Sequence, residues 1–199
     1  MNYLAHAYLS MGKPGIITGN MISDFVKGKR QFDLPPSIFK GIQLHRAIDS
    51  FTDRHESTSF VKNIFRPRYR LYSGAFADVV YDHFVANDIN LFQHQQNRDD
   101  LHDTTCNDLE SNMIWLPEKF LPVLQSMKKH RWLILFGEDP AMKLSFEGLV
   151  KRSAYLKESE YAFELFMTRK QEMKEAYDHF MPELLRYNGN ILEQIMEED

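Results

Sequence analysis

Apolar residues along this chain recur at three- and four-residue intervals almost from end to end, and long runs of strict apolar/polar alternation are absent. That period predicts helices over residues 2–11, 16–28, 37–54, 56–65, 72–90, 98–114, 118–136, 140–155, 157–180 and 182–196. Breakers set the limits. "GKPG" follows the first helix, "DLPPS" precedes the third with Ser37 placed as an N-cap, "FRPRYR" parts the fourth from the fifth, and Pro140 opens the eighth. "LILF" at 133–136 has a strand's composition but is too short and solitary to change the class. The expectation is an all-α, single-domain helical bundle over residues 1–199, with no linker or low-complexity segment dividing it.

Polar residues interrupt this pattern where a core should be. Asn2 and His6, Asn20 and Asp24, His45, Asp49 and Asp53, and Asp78 and Asp82 all stand four residues apart, so each set shares a helix face. Ile38, Ile42, His45 and Asp49 fall on one stripe, which turns from apolar to polar halfway along its helix. Asp82 shares a stripe with Val79 and Ala86. A buried, unpaired carboxylate costs several kcal/mol, and a cation gathering several of them removes that cost. Imidazole together with carboxylates suits Mn, Fe, Zn or Mg with phosphate, and bundles build metal sites from facing helices in this way. Each pair has an ordinary alternative: Asn2/His6 as a cap or core pair, and the His45–Asp49–Asp53 stripe as a solvated face paired with Arg46 and Arg54.

The tetrapeptide "YDHF" occurs twice, at 81–84 and 177–180. The first copy has Asp78 a turn earlier and apolar neighbours. The second has Lys174 a turn before Asp178 and reads as an ordinary amphipathic helix end. The adjacent pair His102-Asp103 lies among Arg98, Asp99, Asp100 and Asp108 and reads as a solvated face, while "RYNGN" reads as a C-terminal turn. His55, His94, His130 and His179 have no evident partner in the sequence.

The net charge of −4 argues against generic nucleic-acid binding. A single cysteine, Cys106, excludes an intrachain disulfide and points to a reducing compartment. No uncharged apolar run has the length of a membrane span, and the N-terminal stretch lacks the charged start of a signal peptide. The expectation is a soluble cytoplasmic protein.

Four stretches taken together, "MNYLAH", "GNMISDFVKG" at 19–28, "GIQLHRAIDSFTD" at 41–53 and "DVVYDHF" at 78–84, resemble the bacterial acyl carrier protein phosphodiesterases in order and separation. The resemblance covers the first ninety residues or so. It implies a helical fold distantly related to HD-type metal phosphohydrolases. It also implies hydrolysis of the phosphodiester joining 4′-phosphopantetheine to a serine of holo-acyl carrier protein, with manganese preferred. By motif, His6, Asp24, His45, Asp49, Asp53, Asp78, Asp82 and His83 map onto the family's polar positions. The implied metal ligands are His6, Asp24, His45, Asp49, Asp82 and His83. Asp53 or Asp78 would orient a ligand or take a proton from water, and Arg46 would neutralise a phosphate oxygen. The motif regions lack the adjacent His-Asp pair of the wider HD superfamily.

An acidic protein substrate approaching a net-negative enzyme needs a local basic surface. Lys27, Lys29 and Arg30 follow the Asp24 helix, and Arg66, Arg68 and Arg70 precede the Asp78 helix; "KKHR" at 128–131 is a more remote candidate. Two rival readings use the same residues. One is a phosphohydrolase of a small-molecule or nucleotide substrate, and the other a non-catalytic helical protein that binds acyl carrier protein.

Overall fold

The computed structural model describes residues 1–197 and is all-α, with no strand among the described residues. Its helices are α1 (Tyr3–Leu9), α2 (Ile16–Ile22), α3 (Pro36–Arg54), α4 (Glu56–Tyr69), α5 (Ser73–Ala86), α6 (Gln95–Ser111), α7 (Leu121–His130), α8 (Trp132–Leu135), α9 (Asp139–Arg152) and α10 (Glu160–Glu197). Buried apolar side chains from all ten form one cluster. None of the described helices is long and apolar enough to cross a membrane.

The sequence reading departs from this structure in identifiable places. The expected helix 16–28 stops at Ile22, and Ser23–Phe25 and Gly28–Asp33 continue as 3-10 turns. The expected helix 118–136 is broken by Arg131, whose φ of 46° no helix can absorb; "LILF" beyond it is helical through Leu135. Pro182 does not divide the last helix, because the carbonyl it leaves without an intrahelical donor is that of Asp178, on an exposed turn. "RYNGN" accordingly lies inside α10, with Asn188 buried and its Nδ2 donating to the Leu9 carbonyl at 3.0 Å. The two YDHF copies pack on each other: Tyr81 stacks on Phe180 with ring centroids 4.8 Å apart, and Phe84 meets Tyr177 at 5.5 Å. Lys174 pairs with Asp178 at 2.5 Å, as the sequence suggests.

Two short helices, α1 and α2, carry the first polar pairs. At 7 residues each they are too short to be stable alone. Each is held at its N-terminus by a carboxylate from another helix. Asp82 on α5 accepts from the amides of Leu4 at 2.9 Å and Ala5 at 3.2 Å, and the N-cap Asn2 makes no side-chain cap of its own. Asp108 on α6 accepts from the amides of Gly15 at 2.9 Å and Thr18 at 3.0 Å and from the Thr18 hydroxyl at 2.7 Å. In both cases the carboxylate also meets the positive end of the helix dipole.

The packing of α2 on α3 fixes the rest. Gly19 and Gly41 bring the two backbones together so closely that a Cβ on Gly19 would fall 1.9 Å from the Ile38 carbonyl oxygen, and one on Gly41 would fall 2.3 Å from that of Ile16. Asn20, next to Gly19, is thereby pressed against α3 one turn from His45.

Candidate metal centre

His6 from α1 and His45 from α3 stack face to face, with ring centroids 4.0 Å apart and planes 16° apart. Both rings are buried, and both take their orientation from Asn20. His45 Nδ1 lies 2.7 Å from the Asn20 backbone oxygen, an atom that only accepts, so Nδ1 carries the proton. Asn20 Nδ2 donates to the His6 carbonyl at 2.9 Å and to Ser10 Oγ at 3.0 Å. That orients Asn20 Oδ1 to accept from His6 Nδ1 at 2.7 Å. In the neutral rings, therefore, both Nε2 atoms present lone pairs, and both are buried without a hydrogen-bond partner among the described residues.

Those lone pairs face carboxylates. Asp49 Oδ1 is 3.2 Å from His6 Nε2 and Asp49 Oδ2 is 3.1 Å from His45 Nε2, while Asp24 Oδ1 is 3.5 Å from His45 Nε2. Two imidazole lone pairs pointing at one carboxylate repel it unless a proton or a cation lies between. His6, His45 and Asp49 present ligand atoms within 4.8 Å of one another, a His/Asp grouping that suits a divalent ion. The Asn20 contacts are of the kind that orient metal-bound histidines. The ammonium of Met1, 3.1 Å from Asp78 Oδ1 and 3.5 Å from Asp49 Oδ1, shows how strongly this corner attracts positive charge.

Protonation follows the same electrostatics. Burial and the neighbouring His45 push His6 down to about 4. Burial alone would lower His45 too, but Asp24 and Asp49 outweigh it and hold the ring up at about 9. Burial would raise Asp49, yet the two imidazoles and the Met1 ammonium hold its carboxyl well below the usual carboxylate range. A proton on His45 takes the place that a cation would take from it.

The structure thus gathers His6, His45 and Asp49, with the exposed Asp24 at the rim and Asp78 beside the Met1 ammonium. It places the other expected residues elsewhere. Asp82 is wholly buried, with its oxygens given to the α1 amides. His83 points away from the cluster: its Nδ1–H donates to the Phe136 carbonyl at 2.9 Å, and its ring meets Phe166 edge-on at 5.0 Å. Adjacent residues on a helix face different sides, and that separates His83 from the Asp78 face. Arg46 is exposed and donates to Gln31 Oε1 at 2.5 Å, and Asp53 pairs with Lys62 at 2.6 Å.

Three further histidines make structural contacts. His102 is buried, against the expectation of a solvated face, with Nε2 3.6 Å from Cys106 Sγ. His55 Nδ1 accepts from the Ser57 amide at the start of α4, and His94 forms a capping box with Asn97 at the start of α6. Sequence reasoning missed Asn20 as the common support of both imidazoles. Its signal was a polar residue between Gly19 and Met21 on an otherwise apolar helix.

The Asp82 cap carries a testable signature. Burial pushes its carboxyl up to about 7, against the pull of the Leu4 and Ala5 amides. A carboxyl with a raised folded-state pKa favours the fold most below its unfolded value near 4, and that contribution is lost as pH rises through 7. Asp82→Asn removes the titration. The wild type should therefore exceed the variant in stability by more at pH 5 than at pH 8, with a slope of at most about 1.4 kcal/mol per pH unit. Urea unfolding at both pH values measures it; a gap that widens with pH would mean the ionised carboxylate is the form the cap prefers.

Comparison with known proteins places the chain. A family model described as acyl carrier protein phosphodiesterase matches residues 1–184. Acyl carrier protein phosphodiesterases of Yersinia pestis and Klebsiella pneumoniae are 26% and 28% identical to it, over 94% and 96% of this chain and 96% and 98% of theirs. That of an Escherichia coli strain is 29% identical over 76% of this chain and 79% of its own. No solved structure matches. The chain belongs to the acyl carrier protein phosphodiesterase family.

Proposed function

We propose that this protein hydrolyses the phosphodiester between 4′-phosphopantetheine and a serine of holo-acyl carrier protein, releasing the apo-protein, with a divalent cation held by His6, His45 and Asp49. The observation that carries the reading is the pair of buried imidazole Nε2 atoms, both aimed at the one carboxylate of Asp49 because Asn20 engages the Nδ1 of each ring. Asp24, exposed at the rim and 3.5 Å from His45 Nε2, is a fourth ligand within reach. Manganese is the ion we assign, on the family resemblance and a donor set of imidazole nitrogen and carboxylate oxygen. A divalent ion there supplies charge for the phosphoryl oxygens and lowers the pKa of water. The protein supplies the rest: Asn20 fixes both rings, and Asp78 faces the site from α5 as the acceptor for the attacking water's proton.

The basic clusters give the substrate protein a landing surface. Lys27, Lys29 and Arg30 are exposed on the turn that follows Asp24, beside the exposed ring of Phe32. Arg66, Arg68 and Arg70 are exposed at the end of α4, next to a fully exposed Leu71, with Arg68 paired to Glu158 at 3.0 Å. In the third cluster Arg131 is committed to Asp99 and Asp103, and Lys128 to Glu110, so it contributes less free charge.

Intact-mass spectrometry of holo-acyl carrier protein incubated with the enzyme tests the reading, with Mn²⁺ and with chelator. Loss of the phosphopantetheine mass only in the metal arm supports it. An unchanged mass from protein shown to hold its metal rejects the substrate. Substituting Arg66, Arg68 and Arg70 together by Ala should raise KM for the protein substrate roughly tenfold and spare a small phosphodiester; equal losses on both would reject the landing surface.

A further inference from the structure

Beside the metal centre, α3 and α5 each carry a further position one turn along from Asp49 and Asp78. On α3, Asp53 stands one turn beyond Asp49; on α5, Gly74 stands one turn before Asp78. The inner rungs, Asp49 and Asp78, share the Met1 ammonium. The outer rungs share Lys62 of α4. Its Nζ is 2.6 Å from Asp53 Oδ1, and its Cε lies 3.5 Å from where a Cβ on Gly74 would stand.

An ordinary surface lysine would reach into water and pair loosely. The Lys62 side chain is only 17% exposed, laid down over the first turn of α5 with its ammonium on Asp53. Burial raises the Asp78 carboxyl, and Lys62 is among the positive charges that pull it back down. Three donors are available on an ammonium, and Asp53 is the one hydrogen-bond partner it has among the described residues. Successive rungs are about 5–6 Å apart, a span that a phosphodiester group bridges.

We propose that Lys62 is a phosphate-binding residue of this site: held by Asp53 and seated over Gly74, its ammonium takes the phosphodiester oxygens that face away from the His6–His45–Asp49 centre. This rests on the reading of that cluster as the hydrolytic site. It also gives Asp53 a positioning role, as the counter-ion that keeps the ammonium aimed.

Inorganic phosphate is the probe. The full-length protein is loaded with Mn²⁺, and phosphate binding is measured by titration calorimetry for wild type, Lys62→Met and Lys62→Arg. Metal binding, thermal unfolding and turnover of holo-acyl carrier protein are recorded alongside. Lys62→Met should bind Mn²⁺ and unfold as wild type does, yet bind phosphate about 10- to 100-fold more weakly. Lys62→Arg, which keeps the charge, should recover most of the loss. Wild-type phosphate affinity in Lys62→Met overturns the proposal, as does wild-type protein that binds no phosphate. Loss of phosphate binding that accompanies a lowered unfolding transition in both variants also overturns it, by making Lys62 a support of the fold. Phosphate binding that depends on Lys62 in a protein that does not cleave holo-acyl carrier protein upholds the proposal and rejects only the substrate.

Discussion

Asp49→Ala is expected to abolish stoichiometric binding of a divalent ion and to lower phosphodiester turnover by about a thousandfold or more, in a protein that still folds. Among the described residues Asp49 is the one carboxylate that reaches both imidazoles, one oxygen to each, at 3.2 and 3.1 Å. Its removal leaves two neutral ligands with no shared anion, so the site loses charge and geometry together. The fold should survive because the Asp49 side chain is 38% exposed and sits on the inner mouth of the site, outside the apolar cluster. Asp24→Ala is the graded comparison. That side chain is 80% exposed and approaches only His45, at 3.5 Å, so a loss nearer tenfold is expected. Metal content after dialysis and turnover with added Mn²⁺ decide the matter. Asp49→Ala protein that retains its metal and wild-type turnover would sink the assignment of this cluster as the centre.

How far the sequence revealed this site depends on what kind of relation each residue enters. Spacing on one helix was legible: the His45–Asp49 step and the inward stripe from Ile38 through His45 are both in the structure. Class was legible too, since an unbroken helical period leaves little room for a sheet. Relations between helices were not. Asp82 has the composition of a ligand, but its oxygens meet the amides of Leu4 and Ala5 from a helix 77 or 78 residues away in sequence, and no local pattern announces a cap given from so far. His83 follows Asp82 in the chain and faces the opposite side, toward the Phe136 carbonyl. Asn20 was visible as a polar residue, but pairing it with Asp24 on spacing missed its engagement of two imidazoles from two other helices. Boundaries failed where a single residue overrode the period, as at Arg131, or where a proline was tolerated, as at Pro182.

Gly41→Ala is expected to be strongly disruptive, as Gly19→Ala on the facing helix would be, lowering stability by about 3 kcal/mol or more and metal affinity by about 10- to 100-fold. The new Cβ would stand 2.3 Å from the Ile16 carbonyl oxygen, 2.8 Å from the Gly19 Cα and 2.9 Å from the Asn20 amide nitrogen. All three are backbone atoms of α2 and have no rotamer to escape into. Relief requires α2 and α3 to separate by roughly an ångström, which opens a packed core along their whole contact. The metal centre is carried on that contact. His45 hangs from the Asn20 carbonyl and His6 from the Asn20 side chain, each at 2.7 Å, so a shift of α2 relative to α3 pulls the two rings out of register over Asp49. A melting temperature about 6–12 °C lower would accompany that loss. Gly189→Ala supplies the contrast: a Cβ there meets none of the described residues within 4 Å on a helical backbone, so it should leave stability unchanged or raise it by up to about 1 kcal/mol. If Gly41→Ala melted and bound Mn²⁺ like wild type, the close helix crossing would not be what aligns the imidazoles. If it melted lower but kept full metal affinity, the crossing would serve the fold alone, and alignment of His6 and His45 would have to come from Asp49 itself.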